Sequence, residues 1–177
     1  MQQIELVRKM NQFGAGTFID TLSNIVSASY FLVPVYLVIN ALIYIYDREK
    51  STVVMAGLAL ALVIHFFVHE FLIKFLLGKI YFLPRPFVVD SSITTIGNRI
   101  NNSTFPSGHV SSVVAFLTVL VWQYPKLWPF ALIFVLIIGF SRIHNGMHFL
   151  TDVIGGVVFG ILYGLLAIFI MGKLHLT

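Results

Sequence analysis

Two histidines set the chemistry this chain could perform. His148 precedes Asp152 by four residues, a spacing that puts both on one face of a helix. A carboxylate bonded to one ring nitrogen fixes the tautomer and leaves the other nitrogen as a nucleophile. His109 ends the run Phe105-Pro106-Ser107-Gly108-His109, at the mouth of an apolar stretch. There it could protonate a leaving alcohol as general acid and later activate water. Arg85, between Pro84 and Pro86, and Arg142, beside Ser141, supply guanidinium forks that match phosphate oxygens and stay charged. With Lys79 they could hold a phosphoryl group and offset the charge of its transition state. Ser107 and Gly108 suit the same task, because free N–H groups at a helix start bind anions and glycine lets backbone approach closely.

Each group also has a plainer explanation. Arginines at span ends snorkel to the interface or report topology. Ser107 and Gly108 read adequately as an ordinary helix cap, although a cap does not explain His109 in the first turn. His148 and Asp152 could simply cap the last helix. A metal reading exists too: His144, His148 and Asp152 form an H-x3-H-x3-D ladder, and His65/His69 repeat the i, i+4 spacing used by zinc sites. Gly146 weakens a regular helix across His144. Glu70 and Lys74 read as an ion pair along their helix, and His65 and His69 receive no role.

The elements that must position these residues are apolar. The chain has 177 residues, 58% hydrophobic and 10% charged. Soluble domains average about 25% charged residues, so this is an integral membrane protein. Its length fits one domain, residues 1–177. Cysteine is absent, which excludes disulfides, thiolate nucleophiles and cysteine-bound metal. No basic stripe suits nucleic acid. A spanning helix needs about 20 apolar residues, and charges divide the chain into five such stretches. They fall near 25–46, 52–77, 108–124, 127–144 and 149–171, with a polar loop over 78–107. Residues 1–20 place Ile4, Leu6, Val7, Met10 and Phe13 opposite Glu5, Arg8, Lys9 and Gln12, the pattern of an amphipathic helix lying in the interface, with a frayed terminus as the plainer alternative. The expected fold is therefore all-α, a polytopic bundle of about five transmembrane helices plus an interfacial N-terminal helix. Trp122, Tyr124 and Trp128 form an aromatic belt around one turn. With five spans, the 78–107 loop and the 144–149 turn share one membrane side, and those two connections carry all three clusters.

Together the clusters resemble the type 2 phosphatidic acid phosphatase superfamily, whose signature is K-x6-R-P, then P-S-G-H, then S-R-x5-H-x3-D. The second part stands intact at Pro106-Ser107-Gly108-His109 and the third at Ser141-Arg142 through His148 and Asp152. The first departs: Arg85-Pro86 is present, but Lys79 stands six positions before Arg85 and Gly78 occupies the family's lysine place. The match covers roughly residues 74–155 and resembles the small bacterial members.

The resemblance implies a lipid phosphatase that needs no metal or other cofactor. His148 would attack phosphorus, Asp152 would orient it, and His109 would protonate the leaving group. Arg85, Arg142, Ser107, Gly108 and Lys79 would bind the phosphoryl oxygens. The expected partners are a lipid phosphate substrate and membrane lipids. Undecaprenyl pyrophosphate, phosphatidylglycerophosphate, phosphatidic acid and lipid A 1-phosphate all fit, and oligomeric state is open. The family's site faces the extracytoplasmic side of the inner membrane. The rivals are a metal-dependent membrane hydrolase and a non-catalytic lipid-phosphate binder or transporter. Gly155-Gly156 and Gly160 could let the fifth span pack closely against a neighbour, within the chain or outside it. Asn101-Asn102-Ser103 fits the glycosylation pattern, but a polar surface loop is its plainer meaning.

Overall fold

The computed structural model describes residues 2–99 and 102–175, all helix, turn and loop. Asn101, first residue of the N-x-S run, lies outside the described residues. In chain order the helices are α1 (Gln2–Gln12), α2 (Phe18–Val26), α3 (Ser29–Tyr46), α4 (Arg48–Ile64), the single turn α5 (Pro86–Val89), α6 (Gly108–Gln123), α7 (Trp128–His144) and α8 (Leu150–Lys173). Beyond α4 the chain continues as a π-helical segment, His65–Leu76, and a 3-10 turn, Leu77–Lys79.

Four helical stretches are long and apolar enough to cross a membrane: Ser29–Tyr46, Arg48–Lys79, Pro125–His144 and Leu150–Lys173. The fifth expected span, α6, has 16 residues. At 1.5 Å per residue that is about 24 Å, short of a hydrocarbon core of about 30 Å. It can be short because it is the centre of the bundle. Val113, Ala115 and Phe116 are wholly buried, whereas outer positions such as Phe66, Phe130, Leu136 and Phe169 point outward. Trp122 and Trp128 are exposed at the end of the bundle away from the motifs.

α6 packs most intimately on α8, and glycine makes that approach possible. A Cβ at Gly156 would stand 2.8 Å from the Ser107 carbonyl oxygen, one at Gly160 2.8 Å from that of Ser111, and one at Gly164 2.9 Å from that of Ala115. Small residues every fourth position let two backbones meet where lipid supplies no hydrophobic drive. The neighbour of the fifth span's glycines is thus inside the chain. The consequence for the site is direct, because this seam registers the start of α6 against the start of α8.

The N-terminal stretch is two helices rather than one. Gly14 and Gly16 adopt φ of +68° and +77°, which breaks the amphipathic run after Gln12. Thr17 then caps α2, its hydroxyl accepting from the Ile19 N–H at 3.3 Å, while Asp20 accepts from the Gly16 N–H at 2.8 Å. Both helices dock on the end of the bundle that carries the sequence motifs. Asn11 donates to the carbonyls of Thr94 and His144 at 2.8 and 2.7 Å. Ser23 donates to Asn145 at 2.6 Å, and Asn145 to Ser27 at 2.8 Å. The Ser92 hydroxyl and the Arg8 guanidinium bind Asp90 and hold its carboxyl down at about 2, tying α1 to the 90–94 loop.

Candidate active site

α7 and the turn after it build half of the site. The turn folds back so that the N–H groups of Met147 and His148 both donate to the Arg142 carbonyl at 3.2 Å. Gly146, at φ +68°, makes this reversal, and a side chain there would collide with Ile93. His148 is thereby set beside Arg142. At the start of α8, Asp152 accepts from the Phe149 N–H at 2.7 Å, a carboxylate bonded into the first helical turn.

His148 is 2% exposed. Its Nδ1 lies 3.5 Å from Asp152 Oδ2 and 3.3 Å from the Thr104 hydroxyl, which itself donates to Asp152 Oδ2 at 2.6 Å. The orienting partner is thus a carboxylate–hydroxyl pair rather than the carboxylate alone. With the hydrogen on Nδ1, the Nε2 lone pair faces Arg85, whose Nη1 is 3.3 Å away. Burial, reinforced by the charges of Arg142, Arg85 and Lys74, pushes the His148 imidazole well below its ordinary 6.5. That direction favours the neutral ring, whose Nε2 keeps its lone pair.

Arg85 opens α5 in an extended conformation that Pro86 enforces on its predecessor. Its guanidinium turns inward and donates to the Met147 carbonyl at 2.9 Å and to Asn102 through both its backbone and side-chain oxygens. Arg142 and Ser107 differ. Arg142 is 4% exposed and Ser107 fully buried, yet Arg142 Nε and Ser107 Oγ make no hydrogen bond among the described residues. Leaving a buried polar atom unsatisfied costs about 1–3 kcal/mol, and more for a charged group. Ser107 does not cap α6 with its side chain, so among the described residues its hydroxyl has no partner. Arg142 and His109 together line a cavity of about 310 Å³, walled by Asn24, Ser27 and Ser29 of the α2–α3 corner and by Met147. Gly108 starts α6 with the Glu70 carboxylate against it, where a Cβ would stand 2.6 Å from Oε1.

Lys79, expected among the phosphate ligands, is not brought to these residues. It is exposed, with its ammonium 4.1 Å above the Phe75 ring. Lys74 takes the inward position instead, buried and donating to the Ser103 and Thr104 carbonyls at 2.6 and 3.1 Å. The reason is the π segment. Its wider turns carry His65, His69 and Lys74, spaced by four and five residues, onto one buried face. The Glu70–Lys74 pair expected from ordinary helical spacing is therefore replaced by these carbonyl contacts. The His144–His148–Asp152 ladder is broken as well. His144 turns away to the Met10 carbonyl at 2.7 Å and to Asp20 at 3.0 Å, fastening α1 and α2. Among the described residues, no group of three or more acidic, histidine or cysteine side chains converges as a metal site. Thr104, Asn102 and Lys74 join this candidate site by contact and were not among the site residues singled out from the sequence.

The family model of the PAP2 superfamily matches residues 52–175, which contain every one of these residues. The chain belongs to the PAP2 superfamily. It is 39% identical over 95 residues to the undecaprenyl-diphosphatase BcrC of Bacillus subtilis, a match covering 53% of this chain and 48% of that protein. The chain thus aligns with about half the length of that relative. The PAP2 fold is shared with two solved structures. One is Aquifex aeolicus LpxE, at TM-score 0.68, 22% identity and 95% coverage of both chains. The other is a PAP2-type phosphatidylglycerolphosphate phosphatase from Bacillus subtilis, at TM-score 0.65 and 20% identity, covering 96% of this chain and 85% of that one.

Proposed function

We propose that this chain is a metal-independent lipid phosphatase acting through a phosphohistidine on His148. One observation carries the reading: Arg85 Nη1 lies 3.3 Å from Nε2 of a buried imidazole that Thr104 and Asp152 orient, while Arg142 Nε and Ser107 Oγ are buried with no hydrogen-bond partner among the described residues. Buried cations with no carboxylate ion pair among the described residues suit a phosphate dianion. His148 Nε2 attacks phosphorus, and the bond from phosphorus to the leaving oxygen breaks. His109 gives that oxygen its proton. His109 then takes a proton from water, the hydroxide attacks phosphorus, and the phosphorus–nitrogen bond breaks to release inorganic phosphate and restore His148. Arg85, Arg142, the Ser107 hydroxyl and the Gly108 backbone hold the equatorial oxygens, and Lys74 adds positive charge from behind residues 103–104 of the loop.

The lipid tail stays in the bilayer while the headgroup enters at the rim. The favoured substrate is a polyprenyl diphosphate, on the strength of the relative named undecaprenyl-diphosphatase. Phosphatidylglycerophosphate, phosphatidic acid and lipid A 1-phosphate are the other candidates. The site faces the extracytoplasmic side of a bacterial inner membrane. Outside the motifs, Arg8, Lys9 and Arg99 lie on its side, against Arg48, Lys50, Lys126 and Lys173 opposite.

The test is phosphate release by purified protein from a panel of these lipids, with and without chelator. Release should survive chelation, fall with vanadate and vanish in His148→Ala. Loss of activity on chelation would favour metal-dependent hydrolysis, and undiminished release by His148→Ala would defeat the phosphohistidine.

A further inference from the structure

His65 and His69 take no part in the chemistry above, yet both are buried, His69 completely. Polar groups at membrane depth are costly and call for a reason. Their rings lie 4.9 Å apart, and both Nδ1 atoms converge on one hydroxyl. Ser111 Oγ is 3.2 Å from His65 Nδ1 and 3.1 Å from His69 Nδ1. The same hydroxyl donates to the Gly108 carbonyl at 3.1 Å. A hydroxyl has one hydrogen and two lone pairs. Placing its hydrogen on the Gly108 carbonyl lets Ser111 accept from both rings, the arrangement in which each imidazole carries its hydrogen on Nδ1. Tyr163 closes the cluster, its ring at 88° to that of His69. On its other edge His69 meets Gly108, where a Cβ would stand 3.4 Å from Nε2. The ring is thus wedged between Ser111 and the Gly108 backbone, and both belong to the opening turns of α6.

We infer that His69 is a positioning residue for phosphoryl transfer: through Ser111 and Gly108 it fixes the first turn of α6, and with it the Ser107 hydroxyl and the His109 ring, against Arg142. The inference rests on the phosphatase reading of the same site. An apolar side chain would fill the space, and Ser111 could still donate to Gly108. What the imidazole adds is a directed hydrogen bond that allows one rotamer of Ser111 and one placement of the turn.

The full chain in detergent micelles, as wild type, His69→Ala, His69→Asn, Ser111→Ala and the double variant His69→Ala/Ser111→Ala, provides the test. The asparagine amide reproduces the Nδ1 donor, and alanine removes it. Misplacement of a catalytic group by about 1 Å costs on the order of 100-fold in rate. His69→Ala should therefore lower kcat by about 10- to 100-fold with KM almost unchanged. Ser111→Ala should lose as much, and the double variant should lose no more than either single change. His69→Asn should recover most of the rate. A second readout needs no turnover. Trigonal-bipyramidal vanadate takes up the transition-state contacts, so its affinity, measured by vanadium NMR, should fall with kcat, while inorganic phosphate binds as before. Wild-type kcat in His69→Ala, additive losses in the double variant, or His69→Asn as impaired as alanine would each overturn the inference. If His69→Ala does not fold, the His69→Asn and Ser111→Ala proteins decide it. A wild type that releases phosphate from no lipid sinks the phosphatase reading, whereas vanadate binding by the variants still decides the positioning role.

Discussion

The Thr104 hydroxyl donates to Asp152 Oδ2 at 2.6 Å across 48 residues of sequence, and it stands 3.3 Å from His148 Nδ1. The active-site loop therefore reaches into the histidine–aspartate pair and shares the task of orienting it. A hydrogen bond to a charged acceptor contributes about 1.5–3 kcal/mol. Thr104→Val keeps the shape and removes the donor. Its kcat should fall by about 10- to 100-fold, with KM little changed, because the lost contact orients the nucleophile and does not touch substrate. Steady-state kinetics on the best lipid of the panel check this, and an unaltered kcat would return the orienting role to Asp152 alone.

Two lysines separate the structure's assignment from the family spacing. Lys74 is buried with its ammonium on the Ser103 and Thr104 carbonyls, while Lys79 is exposed above Phe75. Lys74→Met leaves those carbonyls without their donor and withdraws a charge from the site. Breaking such a contact costs about 1–3 kcal/mol, so activity should drop by about 5- to 100-fold. Lys79→Met should stay within about twofold of wild type, as exposed charges contribute little. Parallel phosphate-release assays decide the matter, and the reverse ranking would restore Lys79 to the phosphate site.

The pH profile follows from His148. Burial holds its imidazole well below 6.5, so the nucleophile stays neutral when a solvated histidine would already be protonated. The acid limb of kcat/KM should accordingly fall below pH 6.5. Stability has the same sign. Below pH 6.5 the unfolded chain takes up a proton on this residue that the folded chain refuses, so this contribution to stability is present above 6.5 and is lost as pH falls towards the folded value. A pH–rate series and thermal melts over the same range measure both, and an acid limb centred at 6.5 would mean an ordinary, hydrated imidazole.

Much of the site was legible in the sequence because its spacing is local. Arg142, His148 and Asp152 lie on one helix end, one tight turn and one helix start, and short-range rules place them. What escaped depends on departures from regular geometry. Lys74 reaches the site only because the helix widens to π turns, which a 3.6-residue period cannot anticipate. Thr104 was invisible because its role depends on where a long loop comes to rest. The break at Gly14 and Gly16 was masked by the amphipathic run around it, and the glycines of α8 were read as an interface whose partner only the packing could identify. His144 shared the catalytic spacing but ends up fastening α1 and α2, because the turn at Gly146 rotates His148 away from it.

The seam between α6 and α8 makes the last prediction. A Cβ at Gly160 would stand 2.6 Å from that of Val114 and 2.8 Å from the Ser111 carbonyl oxygen, which is backbone and cannot rotate aside. Gly160→Leu must therefore push the two helices apart, and overpacking of this kind costs about 1–3 kcal/mol. Separation at this level also moves Ser111 and the start of α6 away from Asp152, so rate should be lost along with stability. Gly172 offers the control, since among the described residues nothing lies within 4 Å of a Cβ there. Gly160→Leu should lower both the melting temperature in detergent and kcat, whereas Gly172→Leu should change neither. Equal behaviour of the two variants would mean that α8 does not set the register of the catalytic turn.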